Sequence, residues 1–122
     1  KQAGQITKGK RGKGTKTMAL TKPFRETVVK RAKEDPKFRV GLLTGAAECF
    51  LNGEADVARV LLRDYVNATI GFQDLGKIVD KKPESLMRML SAKGNPQAEN
   101  FASLIAALQK HEGINFHVEA TR

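Results

Sequence analysis

From position 21 onward, apolar residues recur at steps of three and four, the spacing of helices buried along one side. Thr21 can cap a first helix, in which Phe24, Val28 and Ala32 fall on one face. "EDPKF" stops it, because Asp35 is a good N-cap and Pro36 suits the first position of the next helix. That second helix turns Phe38, Leu42 and Cys49 inward and ends at Asn52-Gly53, a left-handed terminator pair. A third helix is expected from about Glu54 to Asn67, with Val57, Val60, Leu61 and Tyr65 facing the core. Gly41 and Gly45, four apart in the second helix, mark either a close helix crossing or a locally weak turn.

"GFQDLGKIVDKKPESLMRML" then holds two short apolar patterns split by a polar run and a proline. Thr69 can cap a short helix with Phe72, Leu75 and Val79 inward. Asp80, Lys81 and Lys82 form a turn, and Pro83 restarts a helix whose inward residues are Leu86, Met89 and Leu90. Each half is too short to stand alone. Crossed steeply, the two halves bury their apolar sides against each other, which is the helix-turn-helix arrangement.

The next segment closes the core. Asn95 is expected to cap a helix from Pro96 that carries Phe101, Leu104, Ile105 and Leu108, with Gly113 ending it. "INFHVE" then alternates Ile114, Phe116 and Val118 with polar residues, a strand signal over 114–119. No partner strand is evident in the rest of the chain, and an unpaired strand leaves its hydrogen-bonding edge exposed. Pairing with the same strand of a second subunit removes that exposure, so a homodimer is expected, with Ile114, Phe116 and Val118 at its interface.

The outward side of the second short helix carries Glu84, Met87, Arg88 and Ser91. A major groove admits one helix, and arginine can donate two hydrogen bonds to guanine O6 and N7. Glu84 or Ser91 can meet other base edges, and Met87 can touch a thymine methyl. Lys81, Lys82 and Lys93 suit phosphates, which position a protein without specifying sequence. A lone arginine there would be a solvated helix charge; its spacing and three flanking lysines favour DNA.

Composition sharpens this picture. The chain has 122 residues and a formal charge of +9, a size for one domain and a balance that suits a nucleic-acid partner. The charge is uneven: residues 1–17 hold six Lys/Arg and no acid, with four glycines. They read as a disordered basic arm, either lying along phosphates or simply solvated, with Met18 as a plausible start of the native domain. Within the arm, "GQITKGKR" falls one residue short of a phosphate-loop signature, and Arg11 stands where Ser or Thr should hold magnesium. No apolar run approaches the roughly 20 residues that cross a bilayer, and no signal peptide follows the basic start. The single Cys49 forms no internal disulfide and reads as a small core residue, in keeping with a cytoplasmic protein. His111 and His117 have no ligand-spaced acids or cysteines beside them, so neither a metal, a cofactor nor an enzyme is expected.

The segment "DYVNATIGFQDLGKIVDKKPESLMRMLSAKGNPQAENFASLIAALQ" resembles the addiction-module antidote proteins, the HigA-like antitoxins with a lambda-repressor-like helix-turn-helix. The resemblance spans about residues 18–119, and "RDY-NATIGF", "SLMRML" and "GNP" carry it most specifically. It implies an all-α DNA-binding homodimer that represses its own operon and neutralises a RelE/HigB-like, mRNA-cleaving toxin. By position, the family's DNA-reading surface falls on Lys82, Glu84, Ser85 and Arg88, with Asn95 in the following loop. The arm before Met18 departs from the family pattern. The expected protein is thus an all-α, five- to six-helix lambda-repressor-like domain over 18–122 with a short C-terminal β-strand. Its leading function is that of an antitoxin-repressor on double-stranded operator DNA. A stand-alone regulator without a toxin, and a non-specific nucleic-acid or protein-binding module, are the alternatives.

Overall fold

The computed structural model describes residues 22–122; the basic arm and the Thr21 cap lie outside them. Six helices follow one another: α1 (Lys22–Glu34), α2 (Pro36–Leu51), α3 (Ala55–Ala68), α4 (Gly71–Val79), α5 (Pro83–Met89) and α6 (Ala98–Glu112). Each contributes to one continuous core, through Ala32, Leu43, Leu62, Leu75, Leu86 and Leu104 among others. Among the described residues, none of these helices is long and apolar enough to cross a membrane.

The punctuation read from the sequence governs the first two corners. Asp35 accepts hydrogen bonds from the N–H groups of Lys37 (3.1 Å) and Phe38 (3.2 Å), with Pro36 opening α2. Gly53, at φ 84°, and Gly113, at φ 78°, follow the ends of α2 and α6 in a conformation that costs other residues a Cβ clash. Gly45 marks a close crossing, since a Cβ there would lie 3.2 Å from Leu61 Cδ1 on α3. Gly41 has open space around it and marks none.

Several local expectations are corrected. Phe24 is largely exposed, so α1 buries its side through Ala32, with Val28 and Val29 half-buried. The buried stripe of α3 is Ala58, Leu62, Tyr65 and Val66, while Val57, Val60 and Leu61 lie at its margins. Thr69 does not cap α4; its hydroxyl donates to Tyr65 O at 2.8 Å, closing the last turn of α3. Ile70, in helical geometry at φ −78° and ψ −30°, occupies the N-cap position of α4, and no side chain caps that helix. α6 starts at Ala98 rather than Pro96, and Gln97 rather than Asn95 occupies its N-cap position. Gln97 is extended, at φ −67° and ψ 151°, so the helix begins only after it.

Residues 114–119 carry no ladder in the single chain. Ile114 N–H donates to Gln109 O (3.0 Å) and Phe116 N–H to Gln109 Oε1 (2.7 Å), so α6 takes the donors on one side of the segment. Ile114 and Phe116 are half-buried against the chain's own core, whereas Val118 is 78% exposed. The alternation was a signal of burial, and α6 answers it in place of a second strand.

Two buried polar links tie distant helices together. Tyr65 donates its hydroxyl hydrogen to Glu112 Oε1, and Arg39 Nε donates to the same oxygen at 3.1 Å. Burial alone would raise the Glu112 pKa, yet the bonds from Tyr65 and Arg39 outweigh it and hold the group below the usual carboxylate range. Arg25 Nη2 donates to Asp64 Oδ1 at 3.0 Å across α1 and α3. Burial nevertheless keeps the Asp64 pKa above its ordinary value.

Candidate nucleic-acid interface

α4 and α5 are joined by Asp80, Lys81 and Lys82, and the chain reverses there within very little space. Asp80 is left-handed (φ 57°, ψ 53°), and its N–H returns to Gly76 O. Lys81 N–H reaches the same carbonyl at 2.9 Å. Gly76 is buried, and a Cβ on it would lie 2.5 Å from Lys81 O. A side chain at 76 would therefore push the turn open. Pro83 then starts α5 where its missing N–H leaves no bond unmade. Phe72 and Leu75 of α4 meet Leu86 and the following Leu90 in the core.

This packing fixes what α5 shows to solvent. Glu84 and Arg88 are exposed, and Met87 is 46% exposed. Ser85 lies half-buried beside Leu86, with only part of its surface facing out. Lys82 is exposed and Lys81 half-buried at the start of α5, while Lys93 and Asn95 are exposed in the loop beyond it. The expected residues thus gather along α5 and at its two ends. Ser91 does not join them, because its hydroxyl donates to Arg88 O at 2.8 Å. Beside the turn, Lys77, Lys81 and Lys82 line a concavity of about 460 Å³ with Asp80 and Gly76. Three ammonium groups around one shallow hollow suit an oxyanion such as a phosphate.

The chain matches no family model, no curated protein and no solved structure. The chemistry of the surface therefore rests on its own residues, of which one was not legible in the sequence. Arg59 of α3 donates from Nε to Ser91 O (3.1 Å) and from Nη2 to Ala92 O (3.4 Å). These carbonyls lie just past the end of α5, so Arg59 anchors the exit of that helix. Gly94 completes the exit: a Cβ there would collide with Met89 O and lie 2.5 Å from Arg88 O. α5 is consequently held at both ends by close backbone approaches, with Gly76 before it and Gly94 after it. Local spacing gave Arg59 no signal beyond that of a solvated helix charge. The "GNP" motif held a hint of Gly94.

Proposed function

We propose that α4, the Asp80–Lys82 turn and α5 form a helix-turn-helix unit, and that this cytoplasmic protein is a sequence-specific, homodimeric DNA-binding repressor. In this reading α5 enters the major groove. Arg88 reads a guanine, Glu84, Ser85 and Met87 contact neighbouring bases, and Lys81, Lys82, Lys93 and Asn95 hold the phosphates and sugars on either side. The observation that carries it is the state of Arg88. Arg25, Arg31, Arg39 and Arg59 each engage a carboxylate, a ring or a carbonyl within the fold. The Arg63, Arg88 and Arg122 guanidiniums have no such partner among the described residues, and of these Arg88 alone is exposed on α5, a helix fixed at both ends. A free guanidinium on a rigid support satisfies the geometry that base reading requires.

The resemblance to HigA-like antitoxins extends the reading to a regulatory partner. The protein neutralises a RelE/HigB-like toxin and represses the operon that encodes both. The neighbouring open reading frame separates this from a stand-alone regulator. The homodimer is compatible with the C-terminal segment in a revised form. Ile114 and Phe116 point their N–H groups at α6, so in an extended segment those of Asn115 and His117 point away, toward a second copy.

Selection from a pool of randomised duplexes tests the proposal. The expected product is a two-fold sequence with half-sites about 10 base pairs apart, or a multiple of that. On that duplex Arg88→Ala should cost roughly 1–3 kcal/mol, and much less on unrelated DNA at the same salt. No enrichment from the pool would overturn the function. An equal loss on both duplexes would make Arg88 a phosphate contact and pass base reading to Glu84 or Ser85.

A further inference from the structure

A second basic surface lies away from α4 and α5. α1 and α3 enclose a cleft of about 620 Å³, into which Lys22, Arg25, Lys30, Lys33 and Arg63 converge. Its acids are Glu26 and Asp64, and Arg25 neutralises the buried Asp64. Among the described residues, four cations are left against one carboxylate. Burial and the like charge of Arg25 hold the Arg63 guanidinium below the ordinary arginine value, although Asp64 opposes them. The positive charge in the cleft is therefore crowded and incompletely compensated from within the fold.

The shape and lining of the cleft narrow the choice of ligand. Lys22 and Lys33 stand at opposite ends of α1, roughly 16 Å apart at 1.5 Å per residue. A single small anion spans a fraction of that distance, whereas a chain of phosphates spans it all. Among the described residues that line it, Val29 is the one apolar residue. Protein partners bury aromatic and aliphatic anchors at the centre of an interface, while nucleic-acid interfaces are polar and strongly positive. The lining carries four uncompensated cations and, apart from Val29, no aliphatic or aromatic anchor among the described residues, which fits the second kind.

Position points the same way. Arg59, Arg63 and Asn67 follow at steps of four and so share one side of α3. Arg59 anchors the end of α5, and Arg63 and Asn67 line the cleft. One side of α3 thus leads from α5 into the basic cleft. We propose that the α1–α3 cleft is a second nucleic-acid contact, which holds the phosphate backbone of the duplex that α5 reads. The proposal rests on the DNA-binding reading above. It adds a sequence-independent anchor on a part of the molecule that the helix-turn-helix unit does not include.

The test compares the full chain with Lys30→Gln/Lys33→Gln/Arg63→Gln. A control, Lys37→Gln/Lys110→Gln/Arg122→Gln, loses the same charge from exposed positions outside the cleft. Each is titrated against the selected duplex and an unrelated duplex of equal length over a salt series, with thermal melts to verify folding. The cleft variant should lose about tenfold or more on both duplexes, and its salt slope should fall by about two to three. Its preference for the selected duplex should persist, and the control should change far less. If Arg63→Gln disturbs the melt, the Lys30→Gln/Lys33→Gln pair carries the same comparison on exposed side chains alone. A cleft variant indistinguishable from the control overturns the proposal. Loss of binding to a polyglutamate peptide with DNA binding intact also overturns it, in favour of an acidic protein partner. Arg88→Ala, run alongside, separates the two readings. If it keeps its selective loss, only the cleft proposal falls. If the unaltered chain fails to distinguish the duplexes, the helix-turn-helix reading falls, and the salt slope on unrelated DNA still judges the cleft.

Discussion

Arg59 Nε donates to Ser91 O at 3.1 Å, and through that bond α3 holds the exit of a helix 32 positions further along the chain. Nη2 reaches the next carbonyl, Ala92 O, so a planar guanidinium bridges two consecutive peptide groups. Lysine, a point charge on a flexible stem, cannot reproduce this bridge. Arg59→Lys and Arg59→Ala should each cost about 1.5–3 kcal/mol of stability, the range for hydrogen bonds that involve a charged group. The diagnostic readout is amide hydrogen exchange. Leu90, Ser91 and Gly94 should exchange faster in both variants while the core of α3 keeps its protection. Uniform exchange across the chain would show that Arg59 supports the whole fold rather than this corner.

The glycines offer a contrast of sign within one chain. Gly76→Ala places a methyl 2.5 Å from Lys81 O, a backbone atom that cannot step aside without opening the turn. A loss of about 2 kcal/mol or more is expected, as for other overpacked sites. Gly41 lies in α2 with nothing within 4 Å of a Cβ, so Gly41→Ala should gain roughly 0.5–1 kcal/mol from helix propensity. Denaturant titrations of the two variants decide the matter. A neutral Gly76→Ala would mean that the turn is not constrained at Gly76.

Glu112 gives the fold a dependence on pH with a defined sign. Its pKa is lower in the folded protein than in the unfolded chain, owing to the bonds from Tyr65 and Arg39. Its contribution is then present above the unfolded carboxylate value and is lost as pH falls through the folded one. Asp64, raised by burial, works in the opposite sense and favours the folded state as it protonates. Glu112→Gln should lower stability near neutral pH by about 1–3 kcal/mol. It should also flatten the loss of stability on acidification. Melting temperatures of both proteins from neutral to acidic pH provide the check, and parallel curves would remove Glu112 from the account.

The C-terminal segment separates a core role from an interface role. Phe116 is half-buried against the core, with its N–H on Gln109, while Val118 is exposed. Phe116→Asp should therefore destabilise the single chain by about 2 kcal/mol, whatever its oligomeric state. Val118→Asp and Asn115→Pro should leave the melting of the helices unchanged and weaken dimerisation together with operator binding. Sedimentation at micromolar concentration distinguishes the cases. If both of the latter variants stay dimeric with full helical content, the dimer contact lies on the helices.

The corners of this protein were legible because caps and turns depend on residues within a few positions of one another. Asp35 before Pro36, the Asn52-Gly53 terminator, the polar turn before Pro83 and Gly113 after α6 each act over that range. The inward set Phe72, Leu75, Leu86 and Leu90 was legible too, since burial of one side leaves a period in the sequence. Where a local signal had two physical solutions, tertiary packing chose between them. The alternation of Ile114, Phe116 and Val118 suits a strand or a tail lying on a helix, and Gln109 supplies the acceptors that make it the tail. Links between positions far apart left no period to read. Arg59 on Ser91, Arg39 and Tyr65 on Glu112, and the meeting of Lys30, Lys33 and Arg63 in one cleft exist only once α1, α2, α3 and α6 have packed. A charged side chain on a helix looks the same in sequence whether it faces water or a carbonyl, and only the neighbouring helix decides which.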